Sequence, residues 1–231
     1  MKIAIVPARG GSKRIPRKNL REFAGRPMIA YAIAAARDTG KFDRIVVSTD
    51  DPEIADVARA EGAEVPFLRP AELADDYTPT VPVIAHALRA GSAELARNDV
   101  VACIYPTVPL LAASCLLEAL CVAKKGGGEY VFPVVAFPSA IQRALRRDTA
   151  GTTTPFNPEC GNMRTQDLEP AWYDAGQFYV APAGCWLDGA PIHGRARTIV
   201  VPWYRAVDID TPEDWERAEV LYQTLRGRPD L

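Results

Sequence analysis

The segment Ala8-Arg9-Gly10-Gly11-Ser12-Lys13-Arg14-Ile15-Pro16-Arg17-Lys18-Asn19 sets five cations (Arg9, Lys13, Arg14, Arg17 and Lys18) around and after two adjacent glycines. Glycine lets the backbone approach a ligand closely and turn its N–H groups inward, and the cations supply opposite charge, a combination suited to a polyphosphate. The segment is not a dinucleotide fingerprint, because the Gly-x-Gly-x-x-Gly spacing is missing. Nor is it a Walker loop, because no Gly-Lys-Ser/Thr closes it. The alternative is a basic surface loop, but crowded like charges repel unless an anion joins them.

A second constellation lies near the other end of the chain, Val207-Asp208-Ile209-Asp210-Thr211-Pro212. In extended backbone, residues two apart point the same way, so Asp208 and Asp210 can converge on one hard cation. A polyphosphate site calls for Mg2+, and one or two carboxylates with waters and phosphate oxygens suffice to hold it. The alternative pairs Asp208 with an arginine and leaves Asp210 to cap the last helix. Arg143 and Arg164 lie in a polar, proline- and threonine-rich stretch. Both suit bidentate carboxylate recognition, unless they are plain solvated loop charges.

Positioning these groups falls to alternating apolar runs and helical stripes. Ile3 to Val6 reads as a short buried strand that delivers the basic loop. A helix from about Met28 to Arg37, a strand at Arg44–Thr49, a capped helix from Pro52 to Gly62 and a third strand at Ala63–Leu68 follow. A helix capped by Thr80, a strand at Val100–Tyr105 and a helix from Ala113 to Lys125 extend the alternation. The pattern predicts an α/β fold, a mainly parallel twisted sheet flanked by helices. Ligands of such sheets bind beyond the carboxyl ends of the strands. Ser48-Thr49-Asp50 and Tyr105-Pro106-Thr107 fall there with the basic loop, although Asp50 reads equally as a helix cap and Thr107 as the start of a turn. Further strands are predicted at Val131–Phe137, Gln177–Val180 and Thr198–Val201, and a closing helix at Pro212–Leu225 capped by Thr211. Residues 138–172 carry no helical period, and a segment this long without regular structure is usually functional or an interface.

Composition narrows the classes. The 231 residues carry 27 basic and 29 acidic groups, so no global field points to nucleic acid or to a membrane surface. No apolar run approaches the roughly 20 residues of a membrane span, and the first strand is too short for a signal peptide. Five scattered cysteines without Cys-x-x-Cys spacing suit a reducing cytoplasm. With His86 and His193 the only histidines, a histidine-rich metal site or a histidine-based triad is not expected.

The loop Ala8–Asn19 resembles the signature of the cytidylyltransferases that activate sialic acids and related nonulosonic acids. The resemblance extends, in order, through Ser48-Thr49-Asp50, Phe67-Leu68-Arg69, Tyr105-Pro106-Thr107 and Asp208-Ile209-Asp210-Thr211-Pro212, and so covers nearly the whole chain. Pro138 to Ala144, Arg164 to Leu168 and Tyr173 to Tyr179 are most similar to the pseudaminic acid branch. The N-acetylneuraminate branch typically has glutamine where Tyr105 stands and Asn-Gly where Ala175-Gly176 stand.

The resemblance implies a single Rossmann-like domain over 1–231, of the nucleotide-diphospho-sugar transferase type, that moves CMP from CTP to the anomeric hydroxyl of a nonulosonic acid and releases pyrophosphate. It implies that Ala8, Arg9, Gly10, Lys18, Asn19, Arg69 and Thr80 bind the nucleotide, with Arg9 and Lys18 on the triphosphate and Lys13 a further candidate. Asp208 and Asp210 hold Mg2+. Tyr105, Gln142, Arg143, Arg164 and Tyr179 face the sugar acid. Family members are commonly homodimers, with a segment corresponding to about 133–172 as the protruding dimerisation arm. The competing expectations are a CMP-N-acetylneuraminate or CMP-legionaminate synthetase, a CMP-Kdo synthetase, or a non-catalytic nucleotide-binding module on the same fold.

Overall fold

Strand β1 (Lys2–Pro7) is buried on both faces, which places it inside the sheet and not at an edge. A computed structural model describes residues 1–91 and 95–226. Seven strands make the main sheet: β1, β2 (Arg44–Ser48), β3 (Val100–Ile104), β4 (Tyr130–Ala136), β5 (Trp172–Asp174), β6 (Phe178–Pro182) and β7 (Ala196–Val200). Their order is β7-β4-β6-β3-β1-β2, with β5 also on β4. Strands β1, β2, β3, β4 and β7 point one way. Strand β6 runs antiparallel to both β3 and β4, and β5 runs antiparallel to β4. The sheet is therefore mixed but mostly parallel, as expected.

Alternation along the strands builds two cores. Ala4 and Val6 of β1 face one side, with Ile29 and Ile33 of α1 (Met28–Asp38), Ile54 of α2 (Pro52–Ala60) and Leu116 of α4 (Ala113–Lys125). Ile3 and Ile5 face the other, with Ile84 and Leu88 of α3 (Thr80–Gly91) and Trp186 of α5 (Ala183–Leu187). Helix α5 was not legible as a period, being only five residues long.

A third cluster matters most for the site. Helix α6 (Pro212–Arg226) buries Trp215 and Ala218 against Phe23, Met28 and Tyr31, together with Ile15 of the basic loop and Val207 and Ile209 of the acidic segment. Phe23 meets Tyr31 and Trp215 edge to face, each at 5.5 Å between ring centres. One apolar knot thus fastens both charged segments to each other, although nearly 200 residues of sequence separate them.

The third expected strand, Ala63–Leu68, is reduced to a single bridge between Val46 and Glu64. Proline at 66 has no N–H to continue the ladder. The chain nonetheless stays beside β2, and Arg69 N–H donates to the Thr49 carbonyl at 2.7 Å. The expected arm also changes outline. Residues 133–136 belong to β4, and Trp172 pairs back onto Ala136. Only the intervening chain leaves the sheet, held by a short hairpin (Leu145–Arg147 with Thr153–Pro155) and isolated turns of 3-10 helix. No described helix is long and apolar enough to cross a membrane.

Candidate active site

The basic loop leaves β1 along a path fixed by β2. Ala8 N–H donates to the Ser48 carbonyl at 2.9 Å, and Gly10 N–H donates to Asp50 Oδ1 at 3.0 Å. A Cβ at position 10 would lie 2.6 Å from Asp51 Oδ2, so any side chain there would have to displace the Asp51 carboxylate. The helix cap beyond is Asp51, whose Oδ1 accepts from the N–H groups of Glu53 and Ile54. Asp50 is thereby free to hold the loop.

Every cation of the loop meets a carboxylate. Arg17, in the left-handed region at φ 55°, turns away to Asp51 and Glu53 at the start of α2. Arg9 and Lys13 both reach Asp76 on the opposite wall, and Arg9 also donates to the Asp75 carbonyl at 2.8 Å. Arg14 pairs with Asp210 at 2.8 Å, and Lys18 donates to the Ile209 carbonyl at 2.7 Å with Asp210 at 3.4 Å. Asn19 is buried. Its amide donates to the Arg9 carbonyl at 2.9 Å, which ties the end of the loop back to its beginning.

These groups line a cleft of about 640 Å³ beyond the carboxyl ends of β1 and β3, within the usual size of a small-molecule site. Arg9, Lys13, Arg14 and Lys18 form one wall. Asp76, Thr78, Thr80, Tyr105 and Thr107 belong to the same lining, together with Asp208 and Asp210. Because Val207 and Ile209 are buried in the third cluster, Asp208 and Asp210 turn outward together. Desolvation and then the negative charge of Asp210 push the Asp208 carboxyl above the ordinary carboxylate range. Two carboxylates in that relation favour a cation between them, which is the donor chemistry Mg2+ takes. Asp210 does not cap α6. Thr211 Oγ1 accepts from Asp214 N–H at 3.2 Å, and the Asp214 carboxylate returns a bond to Thr211 N–H at 2.9 Å.

The remaining candidates divide. Arg69 lines the cleft, but its guanidinium is spent on structure, donating to the Ser48 carbonyl and hydroxyl and to the Leu73 carbonyl. Burial lowers its pKa to about 10. Thr80 and Tyr105 share a hydrogen bond of 2.8 Å at the cleft. Tyr179 lies behind Tyr105, buried, with its ring 5.6 Å away and its hydroxyl donating to Asp174 Oδ2 at 2.8 Å. Gln142, Arg143 and Arg164 are not brought to the cleft of their own chain. Gln142 donates to the Glu169 carbonyl, Arg143 to the Met163 carbonyl, and Arg164 pairs with Asp167 at 2.8 Å, all within the arm. Sequence reasoning missed Asp76 as a partner in the cleft, and the Asp174–His193 pair behind it. The acidic stretch Asp75-Asp76 was the available signal.

Residues 3–148 match the cytidylyltransferase family model, which is more than half of the chain. The chain belongs to the cytidylyltransferase family. It is 38% identical over 222 residues to a pseudaminic acid cytidylyltransferase of Campylobacter jejuni, with 96% of each chain covered. It is 31% identical to a CMP-N,N'-diacetyllegionaminic acid synthase of Legionella pneumophila, again with 96% of each covered. Among solved structures, this cytidylyltransferase is similar to CMP:2-keto-3-deoxy-manno-octonic acid synthetase complexed with CTP, at a TM-score of 0.72 and 16% identity over 96% of this chain and 98% of the other. That likeness speaks for the fold.

Proposed function

We propose that this cytidylyltransferase transfers CMP from CTP to the anomeric hydroxyl of a nonulosonic acid, pseudaminic acid foremost, and releases pyrophosphate. The observation that carries this reading is the joining of four loop cations and the Asp208–Asp210 pair in one cleft. The relatives named above support the choice of sugar class.

The hydroxyl attacks the α-phosphorus in line as the bond to pyrophosphate breaks, so negative charge grows on the leaving group. Arg9, Lys13 and Lys18 are placed to meet that charge, so that catalysis consists mostly of positioning and electrostatics. To do so they exchange Asp76 and Asp210 for phosphate oxygens. Asp208 and Asp210 would hold Mg2+, which when bound supplies further positive charge against the triphosphate.

The arm exposes Phe137, Ile141, Leu145, Phe156, Met163 and Trp172, and an apolar surface of this kind favours a partner. A homodimer in which Arg143 and Arg164 reach the neighbour's sugar site explains why neither enters its own cleft. The cysteines, all free, fit work in the cytoplasm. Pyrophosphate release from CTP with a panel of nonulosonic acids, with and without Mg2+, tests the reading. Turnover with Kdo in place of every nonulosonic acid would overturn the substrate class, and binding of CTP without any turnover would favour a non-catalytic module.

A further inference from the structure

Arg17 stands apart from the other four cations of the basic loop. Arg9, Lys13, Arg14 and Lys18 line the cleft, and Arg17 does not. Its backbone sits at φ 55°, in the left-handed region, where glycine rests without penalty and a residue with a Cβ is strained. The chain reverses tightly at this point. The Arg17 carbonyl accepts from the N–H groups of Leu20 and Arg21, each at 2.9 Å, and Lys18 N–H donates to the Ile15 carbonyl at 3.2 Å. Ile15 and Asn19, two residues to either side, are buried. Nothing in this backbone calls for a long cation. Strain of this kind persists only where the surroundings over-determine it, and here the side chain supplies a restraint.

The Arg17 guanidinium donates to Asp51 Oδ2 at 2.5 Å and pairs with Glu53. Asp51 is a fixed partner, its side chain only 13% exposed, because its Oδ1 caps α2. The same Oδ2 lies against Gly10, and the neighbouring Asp50 accepts the Gly10 N–H at 3.0 Å. Two consecutive carboxylates at the start of α2 therefore grip the basic loop at two points, Gly10 and Arg17. While Arg17 is drawn outward to α2, the adjacent Lys18 turns the opposite way, into the cleft, where its ammonium reaches the Ile209 carbonyl at 2.7 Å. Exposed ion pairs add little to stability, so this clasp acts on the geometry of the loop more than on the stability of the fold.

We propose that Arg17 is a positioning residue: its clasp on Asp51 holds the loop in the strained conformation that delivers Lys18 to the triphosphate. This rests on the transfer reaction proposed above. Arg17 touches neither substrate. It acts through Lys18, whose charge meets the departing pyrophosphate.

Arg17→Gly separates the clasp from the strain, since glycine accepts φ 55° freely and offers no guanidinium. Its Tm should stay near that of wild type. In contrast, kcat should fall by about tenfold and CTP should bind about tenfold more weakly by calorimetry, with KM for the sugar acid unchanged. Arg17→Lys, which keeps a cation at the position, should recover much of both. Asp51→Asn keeps the helix cap through Oδ1 and removes the charge that faces Arg17. It must weaken CTP binding as well, and an unchanged affinity there would overturn the clasp.

The decisive comparison adds Arg17→Gly to Lys18→Ala. If Arg17 acts through Lys18, Arg17→Gly changes neither kcat nor CTP affinity further in that background. Losses that multiply with those of Lys18→Ala, the mark of a direct contact or an independent role, would overturn the proposal. So would wild-type kcat and CTP affinity in Arg17→Gly alone. A wild-type enzyme inactive with every nonulosonic acid would instead overturn the reaction itself, while the same cycle read by CTP calorimetry would still decide the role of Arg17.

Discussion

The Arg9 guanidinium reaches across the cleft to the Asp76 carboxylate at 2.5 Å, and Lys13 closes on the other oxygen of the same group. On the proposed reaction, Asp76 occupies the electrostatic place that a phosphate would take. A triphosphate entering the cleft must compete with it for both cations.

Asp76→Asn removes that competition. The affinity for CTP measured by calorimetry should rise by about two- to ten-fold, as expected for exposed ion pairs, with the effect shrinking at high salt. Weaker CTP binding in the variant would show that Asp76 serves the ligand and does not oppose it.

Arg9→Ala acts in the opposite sense. It should raise KM for CTP and slow the chemical step, since one charge-assisted hydrogen bond is worth roughly 1.5–3 kcal/mol, about ten- to hundred-fold. Steady-state kinetics identical to wild type would remove Arg9 from the triphosphate site.

Asp208→Asn and Asp210→Asn should each lower kcat by about 100-fold or more while the fold survives. For Asp208 the stability of the ligand-free protein adds a check. Its pKa is raised in the folded state, so folding disfavours the ionised form, and that penalty is full only above the folded value. Asparagine should therefore raise Tm at neutral pH, and the gain should vanish below about pH 4, where the unfolded carboxyl is protonated too. A lower Tm in the variant at neutral pH would contradict the desolvation and repulsion assigned to Asp208.

Sedimentation at working concentration should give a dimer. Arg164→Ala should then impair use of the sugar acid far more than use of CTP. Mixed dimers of an Arg143→Ala chain with an Asp210→Asn chain sharpen the test. If Arg143 acts across the interface, one pocket carries both defects and the other none, so activity returns. If it acts within its own subunit, both pockets stay broken. A monomer would end the proposal.

Much of the site was legible because its signals are local. Glycines beside cations announced the loop, and Val207-Asp208-Ile209-Asp210 carried its own inside–outside alternation. What the sequence hid was pairing over distance. Nothing near Asp76 says that Arg9 and Lys13 will find it, and nothing near Asp174 points to His193, because only the fold brings β5 beside the turn before β7. Strand direction was equally silent: Phe178 to Pro182 has the same apolar pattern whether it runs with β3 or against it. The strand expected at 63–68 failed on a local feature that pattern reading underweighted, the missing donor at Pro66.

The arm departs from Ala136 and returns at Trp172, two residues that face each other in the β4–β5 register. Its base is therefore closed by the sheet whatever lies between. Closing such a loop costs only about 0.6 kcal/mol more for each doubling of its length. Residues 137–171 can thus be lengthened, or exchanged for the corresponding piece of a relative, with little thermodynamic burden on the sheet. The sheet and the arm are thus joined at one pair of strands, Ala136 with Trp172.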